Sequence, residues 1–347
     1  MHQCSLGGKD YPRAQAIGKE VDMKQSVFKF QPIYKERPWG NGAISDVPNH
    51  AQAPHGKKIG ESWELSDREG DESVIADGAC AGKTIRWLLD EHGEKIMGIP
   101  WTRGQRFPLL IKLLDAAQRL SLQVHPPVSV ASQLKGEPKT EIWYLLEAQA
   151  HAALMAGLKK GVTREQFETE LKNQTLEPLI HRLKVKRGDA MFIPSGRIHA
   201  IDAGCLILEI QQNSDTTYRV YDWGHVGLDG KPRELHIEQT LLCTNFQDFE
   251  PSLVLPEVES QENEANQSSL LAHCDSFSVH HFRLKEAMGF GGKPAVLHML
   301  RGSIQIDSGA QEHVHADEGE TLLLGANPHM LTPAGQEQEF ILAVCAT

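Results

Sequence analysis

The sequence predicts a mainly β protein: two β units with a small helical segment. Three observations carry this reading. Short apolar or alternating runs recur along most of the 347 residues, parted by Gly, Pro and Asp-Gly turns. Few stretches show helical spacing. One polar, acidic stretch, EVESQENEANQSS at 257–269, has no apolar periodicity and reads as a linker between the units.

Residues 1–23 contain no apolar stretch of the kind a secretory signal needs, so they read as a disordered leader, with Met23 a candidate translation start. The first unit then spans 24–256. Lys83–His92 (KTIRWLLDEH) predicts a helix, and residues 106–126 and 140–147, rich in Leu, Ile and Val, predict strands. Thr163-Arg-Glu-Gln166 has the spacing of a capping box and opens TREQFETELKNQ, a second helix. LEPLIHRL at 176–183 predicts a third, which makes a helical insertion around 160–183. From Val185 short strands return, with turns at Gly188-Asp189 and Asp229-Gly230. The second unit, 270–347, holds the strand-like runs FSVHHFRL, AVLHMLRGSIQI, TLLLGA and FILAVCA, with GFGG at 289–292 as a hairpin turn.

Composition narrows the function. With 40% hydrophobic residues, the chain is long enough to fold without a disulfide or a structural metal. No run approaches the length of a membrane-spanning helix. The net charge of −11 argues against a broad nucleic-acid surface, which needs a basic stripe, but leaves room for one small anionic ligand. Cys4, Cys80, Cys205, Cys243, Cys274 and Cys345 form no C-x-x-C pair and read as thiols of a cytoplasmic protein. The expected partner is a small molecule, with neither nucleic acid nor membrane.

Alternation exposes a candidate site. In LSLQVH, Ser121, Gln123 and His125 share one strand face, opposite Leu120, Leu122 and Val124. Lys139, Glu141 and Trp143 share a face of the next strand. His199 follows a Pro-Ser-Gly turn in GDAMFIPSGRIHAI. In CLILEIQQ, Ile207, Glu209 and Gln211 oppose Leu206, Leu208 and Ile210, and Thr217, Arg219 and Tyr221 align beyond the turn. Two imidazoles, a carboxylate and an amide suit Zn²⁺ and other first-row divalent ions, with a position left open for substrate.

The string Gly188-x5-Pro194-x-Gly196-x2-His199 resembles the second signature of the cupin superfamily, in which the His binds metal. The first signature is altered: Gln123-x-His125 stands where His-x-His is usual, and Glu141 comes late. LSLQVHPP, KTEIWY, PSGRIHA and LEIQQNSDTTYRVYDW together resemble the type I mannose-6-phosphate isomerases in their short bacterial form, over most of residues 28–245. The resemblance implies two cupin-type jelly rolls, the first catalytic and the second degenerate. It implies interconversion of mannose 6-phosphate and fructose 6-phosphate through a cis-enediol, with one Zn²⁺ per chain. His125, Glu141 and His199 match the zinc ligands and Gln123 a fourth. Arg219 matches the active-site Arg, and Glu209 lies ten residues before it, as an acidic active-site residue does in longer relatives. Ser121, Lys112 and Lys139 match polar pocket positions; Ser121 and Lys112 are assigned to substrate. Glu209 is the first choice of proton carrier, with Lys139 or a metal-bound water as alternatives, and a structural ion pair with Arg219 is its bland reading. The competing functions are a zinc-binding sugar-phosphate cupin without turnover and an iron-dependent cupin dioxygenase.

The second unit carries His313-x-His315 followed by Glu318, and GETLLLG at 319–325 echoes GDAMFIP, with His329 one residue early. These departures predict a second jelly roll without metal.

Overall fold

The strand Cys205–Gln212 shows how the first unit is built. It pairs antiparallel with Leu109–Ala116 on one side and Glu141–Ala148 on the other. Leu206, Leu208 and Ile210 join the core between the two units, while Ile207 packs inside the first unit with Leu154 and Ile201. Both faces are covered, so the strand is buried along nearly its whole length.

The computed structural model describes residues 24–263, 266–309 and 313–346; the leader read at 1–23 lies outside the described residues. Among the described residues the first unit is a sandwich. Its six-stranded sheet runs Ala190–Ile193, Glu141–Ala148, Cys205–Gln212, Leu109–Ala116, Ile59–Leu65 and Ile33–Glu36. The facing five-stranded sheet runs Ile180–Lys184, Ala153–Leu158, His199–Ile201, Leu122–Val124 and Tyr218–Tyr221. The second unit pairs a seven-stranded sheet with a four-stranded one around an apolar core that includes Leu297, Ile304, Leu322 and Phe340.

The units dock sheet to sheet. Ile142, Leu208 and Ile210 of the six-stranded sheet share one core with Val279, Val296 and Ile341 of the seven-stranded sheet and with the helix Ile85–Met97. Each such side chain, fully removed from water, contributes roughly 1.5–3 kcal/mol. That helix begins slightly later than its expected Lys83 start, because Thr84 caps it by accepting from the Trp87 N–H at 3.1 Å. It ends at Gly98, whose φ of +69° is a left-handed cap. The helix Arg164–Asn173 has the full capping box between Thr163 and Gln166 and buries Phe167 and Leu171. No helix among the described residues is long and apolar enough to cross a membrane. Cys80, Cys205, Cys243 and Cys345 are buried free thiols and Cys274 is partly covered.

Three expectations need correction. The stretch 257–269 is not a linker: Glu257–Asn263 and Asn266–His273 form an antiparallel pair at the edge of the seven-stranded sheet. Edge strands carry polar and charged residues that discourage further pairing, so this one has a linker's composition. The partition at 24–256 and 270–347 also fails at its start, because Val27–Lys29 pairs with Thr321–Leu324 and belongs to the second unit's sheet. Finally, 176–183 is no helix. Leu176, Leu179, Ile180 and Leu183 have helical spacing, yet only a 3₁₀ turn at Glu177–Leu179 forms before the chain enters the strand Ile180–Lys184. Hydrogen bonding to Ala153–Leu158 overrides local propensity there.

Candidate metal centre

Three side chains meet between the sheets of the first unit. His125 follows the strand Leu122–Val124, His199 opens the strand His199–Ile201, and Glu141 opens Glu141–Ala148 in the opposite sheet. All three are fully buried. His125 Nδ1 lies 3.0 Å from the Thr216 carbonyl and His199 Nδ1 lies 2.8 Å from the Arg197 carbonyl. A carbonyl only accepts, so both Nδ1 atoms donate and both Nε2 atoms keep a lone pair. Those lone pairs face Glu141: His125 Nε2 is 3.4 Å from Oε2 and His199 Nε2 is 3.7 Å from Oε1.

Both Nε2 atoms and Glu141 Oε1 are buried without a hydrogen-bond partner, while Glu141 Oε2 is met by the Lys139 ammonium at 2.9 Å. Orphaned acceptors facing one another are costly in a protein interior. A divalent cation satisfies them together, and a donor set of two neutral imidazoles and a carboxylate fits zinc and its first-row neighbours. One ligand atom from each of the three lies within 4.8 Å of the others, the only such group among the described residues. Burial keeps the imidazoles neutral, as metal binding requires: the His199 ring is pushed down to about 3 by burial and by neighbouring His125. Burial opposes the charge on Glu141, but Lys139 and the imidazoles hold its carboxyl well below the usual range.

From Glu141 a row of alternating charge crosses the six-stranded sheet. Lys139 Nζ lies 2.9 Å from Glu141 Oε2, and the carboxylates of Glu141 and Glu209 keep that ammonium charged despite burial. Glu209 receives the Trp143 indole N–H on Oε1 at 3.1 Å and faces Lys112 across 3.3 Å on Oε2. Trp143, Glu209, Lys112 and Trp63 are successive cross-strand partners. Beyond Lys112 comes Glu61, which accepts from Trp63 and from both arms of Arg37, at 2.9–3.0 Å. Burial raises the Glu209 carboxyl, helped by Glu141 and Glu61 and opposed by Lys139 and Lys112.

In the facing sheet, Gln123 lies in register between His199 and Arg219. Gln123 is half-buried and Ser121 is buried. The Arg219 guanidinium donates through Nη1 to the Glu234 carbonyl at 2.9 Å, while its Nε is buried without a partner. Glu209 and Arg219 sit in different sheets, and the ion pair of Glu209 is with Lys112.

The sequence matches the family described as phosphomannose isomerase type I, catalytic domain, over residues 27–148. It is 36% identical over 313 residues to the mannose-6-phosphate isomerase ManA of Bacillus subtilis, covering 88% of this chain and 92% of the relative. It is 35% identical to the probable mannose-6-phosphate isomerase GmuF of the same organism, with the same coverage. This chain belongs to the type I phosphomannose isomerases. The fold agrees. The mannose 6-phosphate isomerase structure from B. subtilis superposes with a TM-score of 0.82 at 28% identity, covering 92% of this chain and 99% of that one. A mannose 6-phosphate isomerase structure bound with zinc and yttrium shares the fold at a TM-score of 0.72 and 17% identity.

The second jelly roll of this isomerase has no matching cluster among the described residues, and register explains why. Val314 and Ala316 face its core, which leaves His313 and His315 exposed on the outer face. A one-residue shift turns a strand's whole side-chain set over. His313 pairs with Asp307, and His329 is buried against Ser308 and the Gly325 carbonyl.

Sequence reasoning missed Glu61 and Arg37, the far end of the charged row. The signal was in ESWELS, where Glu61 and Trp63 alternate with Ser62 as Glu141 and Trp143 do with Ile142.

Proposed function

We propose that this chain interconverts mannose 6-phosphate and fructose 6-phosphate through a cis-enediol, with one zinc ion held by His125, Glu141 and His199 and Gln123 as a fourth ligand. The observation that carries the reading is the set of orphaned lone pairs on those three residues. It sits beside a buried carboxylate that is flanked by two lysines.

The isomerisation removes a proton from C2 of the open-chain aldose and returns one to C1, while a hydroxyl proton passes from O2 to O1. A metal ion in the site supplies Lewis acidity, polarising the sugar carbonyl and orienting the adjacent oxygens. The remaining work falls to the chain. Glu209 is the proton carrier: burial raises its carboxyl toward the working range of a general base, while Lys112 and Lys139 keep the ionised form accessible. Lys139 stands between Glu141 and Glu209 and can donate to a sugar oxygen on which charge develops. Arg219, always charged, stabilises the enediolate, and its partnerless buried Nε leaves a donor to spare. Ser121 and Lys112 bind the substrate's oxygens.

The readings of a non-catalytic zinc-binding cupin and of an iron dioxygenase have no observation in their favour once the chain stands among the isomerases. The test is conversion of mannose 6-phosphate to fructose 6-phosphate before chelation, after it, and with zinc restored. Activity lost and regained is the expected result. A folded, zinc-loaded protein with no conversion overturns the substrate assignment.

A further inference from the structure

Trp143 is among the largest fully buried side chains of the protein. It stands on the strand that begins at Glu141, two residues along and on the same face, and it is the direct cross-strand partner of Glu209. Its indole makes two contacts at once. The Nε1–H donates to Glu209 Oε1 at 3.1 Å, and the ring stands edge-on to His199, with centroids 5.3 Å apart and planes at 74°. An indole N–H is a donor only and does not titrate in water's ordinary range. It therefore occupies one carboxylate oxygen without taking up or giving up a proton. The other oxygen, Oε2, faces Lys112.

We infer that Trp143 is a positioning residue of the isomerase: it pins Oε1 of Glu209 so that Oε2 carries the proton, and it ties that carboxylate to the His199 ring. This rests on the reading of Glu209 as proton carrier. The two sheets of the sandwich supply Glu209 and His199 separately, and the Trp143 side chain touches both. Without the N–H, the Glu209 carboxylate can turn about its terminal torsion, which is broad and weakly held by intrinsic preference. The carbon acid then meets a base of uncertain direction, a fault that geometry alone makes expensive.

Trp143→Phe keeps an aromatic ring against His199 and removes only the donor. In the zinc-loaded variant the expected result is unchanged zinc content, a KM within about twofold, and kcat lower by about tenfold or more, the scale of one hydrogen bond to a charged group. In a Glu209→Gln background the same change has no further effect on the residual kcat. Trp143→Phe with wild-type kcat, beside an inactive Glu209→Gln, overturns the inference and leaves the proposed function standing. An equal fold-loss in both backgrounds also overturns it, because the indole then acts independently of Glu209. Near-normal turnover by Glu209→Gln removes the proton-carrier reading itself, and the inference with it. A second readout needs no change at Trp143. Its indole N–H resonance, assigned through contacts to His199, moves upfield on Glu209→Gln as the acceptor loses its charge; an unmoved resonance overturns the inference.

Discussion

Lys139 Nζ lies 2.9 Å from Glu141 Oε2, with both side chains buried. A cation this close to the carboxylate of the candidate metal centre has a structural use and a chemical one, and the two separate on substitution. If Lys139 only balanced Glu141, zinc would take over that duty and the loaded Lys139→Met enzyme would turn over normally. The proposed role predicts otherwise: zinc content is kept and kcat falls on the order of a hundredfold. Metal analysis beside steady-state kinetics decides it. Near-normal kcat in the loaded variant takes Lys139 out of the chemistry.

The candidate metal trio was legible from alternation and from one turn: Gln123 and His125 lie opposite a purely aliphatic face, Glu141 lies between Lys139 and Trp143, and His199 follows a Pro-Ser-Gly turn. The spacing of four motifs then selected a family. What stayed hidden depends on register between strands far apart in sequence. Lys112 and Glu209 are 97 positions apart in number, and only the pairing of their strands sets them face to face. Val27–Lys29 reads as the opening of the first unit, and its partner lies near the far end of the chain. The polar pair Glu257–Asn263 and Asn266–His273 carries an edge strand's composition, which resembles a linker's until a neighbour supplies the hydrogen bonds. His313 and His315 echo a metal motif, but nothing local in the sequence fixes which face they take.

Gly319 tests how tightly the units are docked. Its φ is +83°, and a Cβ there would lie 2.0 Å from the Pro48 carbonyl oxygen of the first unit. Asn49 reinforces the contact by donating to the Glu318 carbonyl at 2.8 Å. Gly319→Ala therefore carries a backbone penalty and a clash that only separation of the units can relieve. The expected loss is about 2–4 kcal/mol in urea unfolding, against about 1 kcal/mol for Gly70→Ala. Gly70 is the fitting control, with a φ of +80° and nothing within 4 Å of an added Cβ. Equal losses at the two positions show that the Pro48 contact yields freely.

Acid stability turns on His298, buried where the units meet. Its Nδ1 pairs with Thr321 Oγ1 at 2.8 Å, and its ring is pushed down to about 3 by burial and then by His50. His50 is itself held above its ordinary value: burial opposes its charge, and the hydrogen bond and charge of Glu64, 3.1 Å away, outweigh that. The signs of the two histidines differ. A raised folded value, as at His50, adds stability that is present below the unfolded value and lost as pH rises through the folded one. A depressed value, as at His298, does the reverse: above 6.5 both states are neutral and nothing is gained or lost. Below it the unfolded chain binds a proton that the native ring refuses until about pH 3. Native stability therefore falls through that window by up to about 1.4 kcal/mol per pH unit from this residue alone. His298→Gln keeps a group able to reach Thr321 and removes the titration. At pH 7 the variant is expected to be less stable by about 1 kcal/mol, the scale of a disturbed buried hydrogen bond. By about pH 4.5 the order reverses, because only the wild type has lost stability to this proton. Subtracting the two curves cancels His50 and the candidate metal-site residues, which both proteins share. Urea midpoints from pH 7 down to 4.5 make the comparison, and parallel curves would show that His298 takes up its proton as readily folded as unfolded.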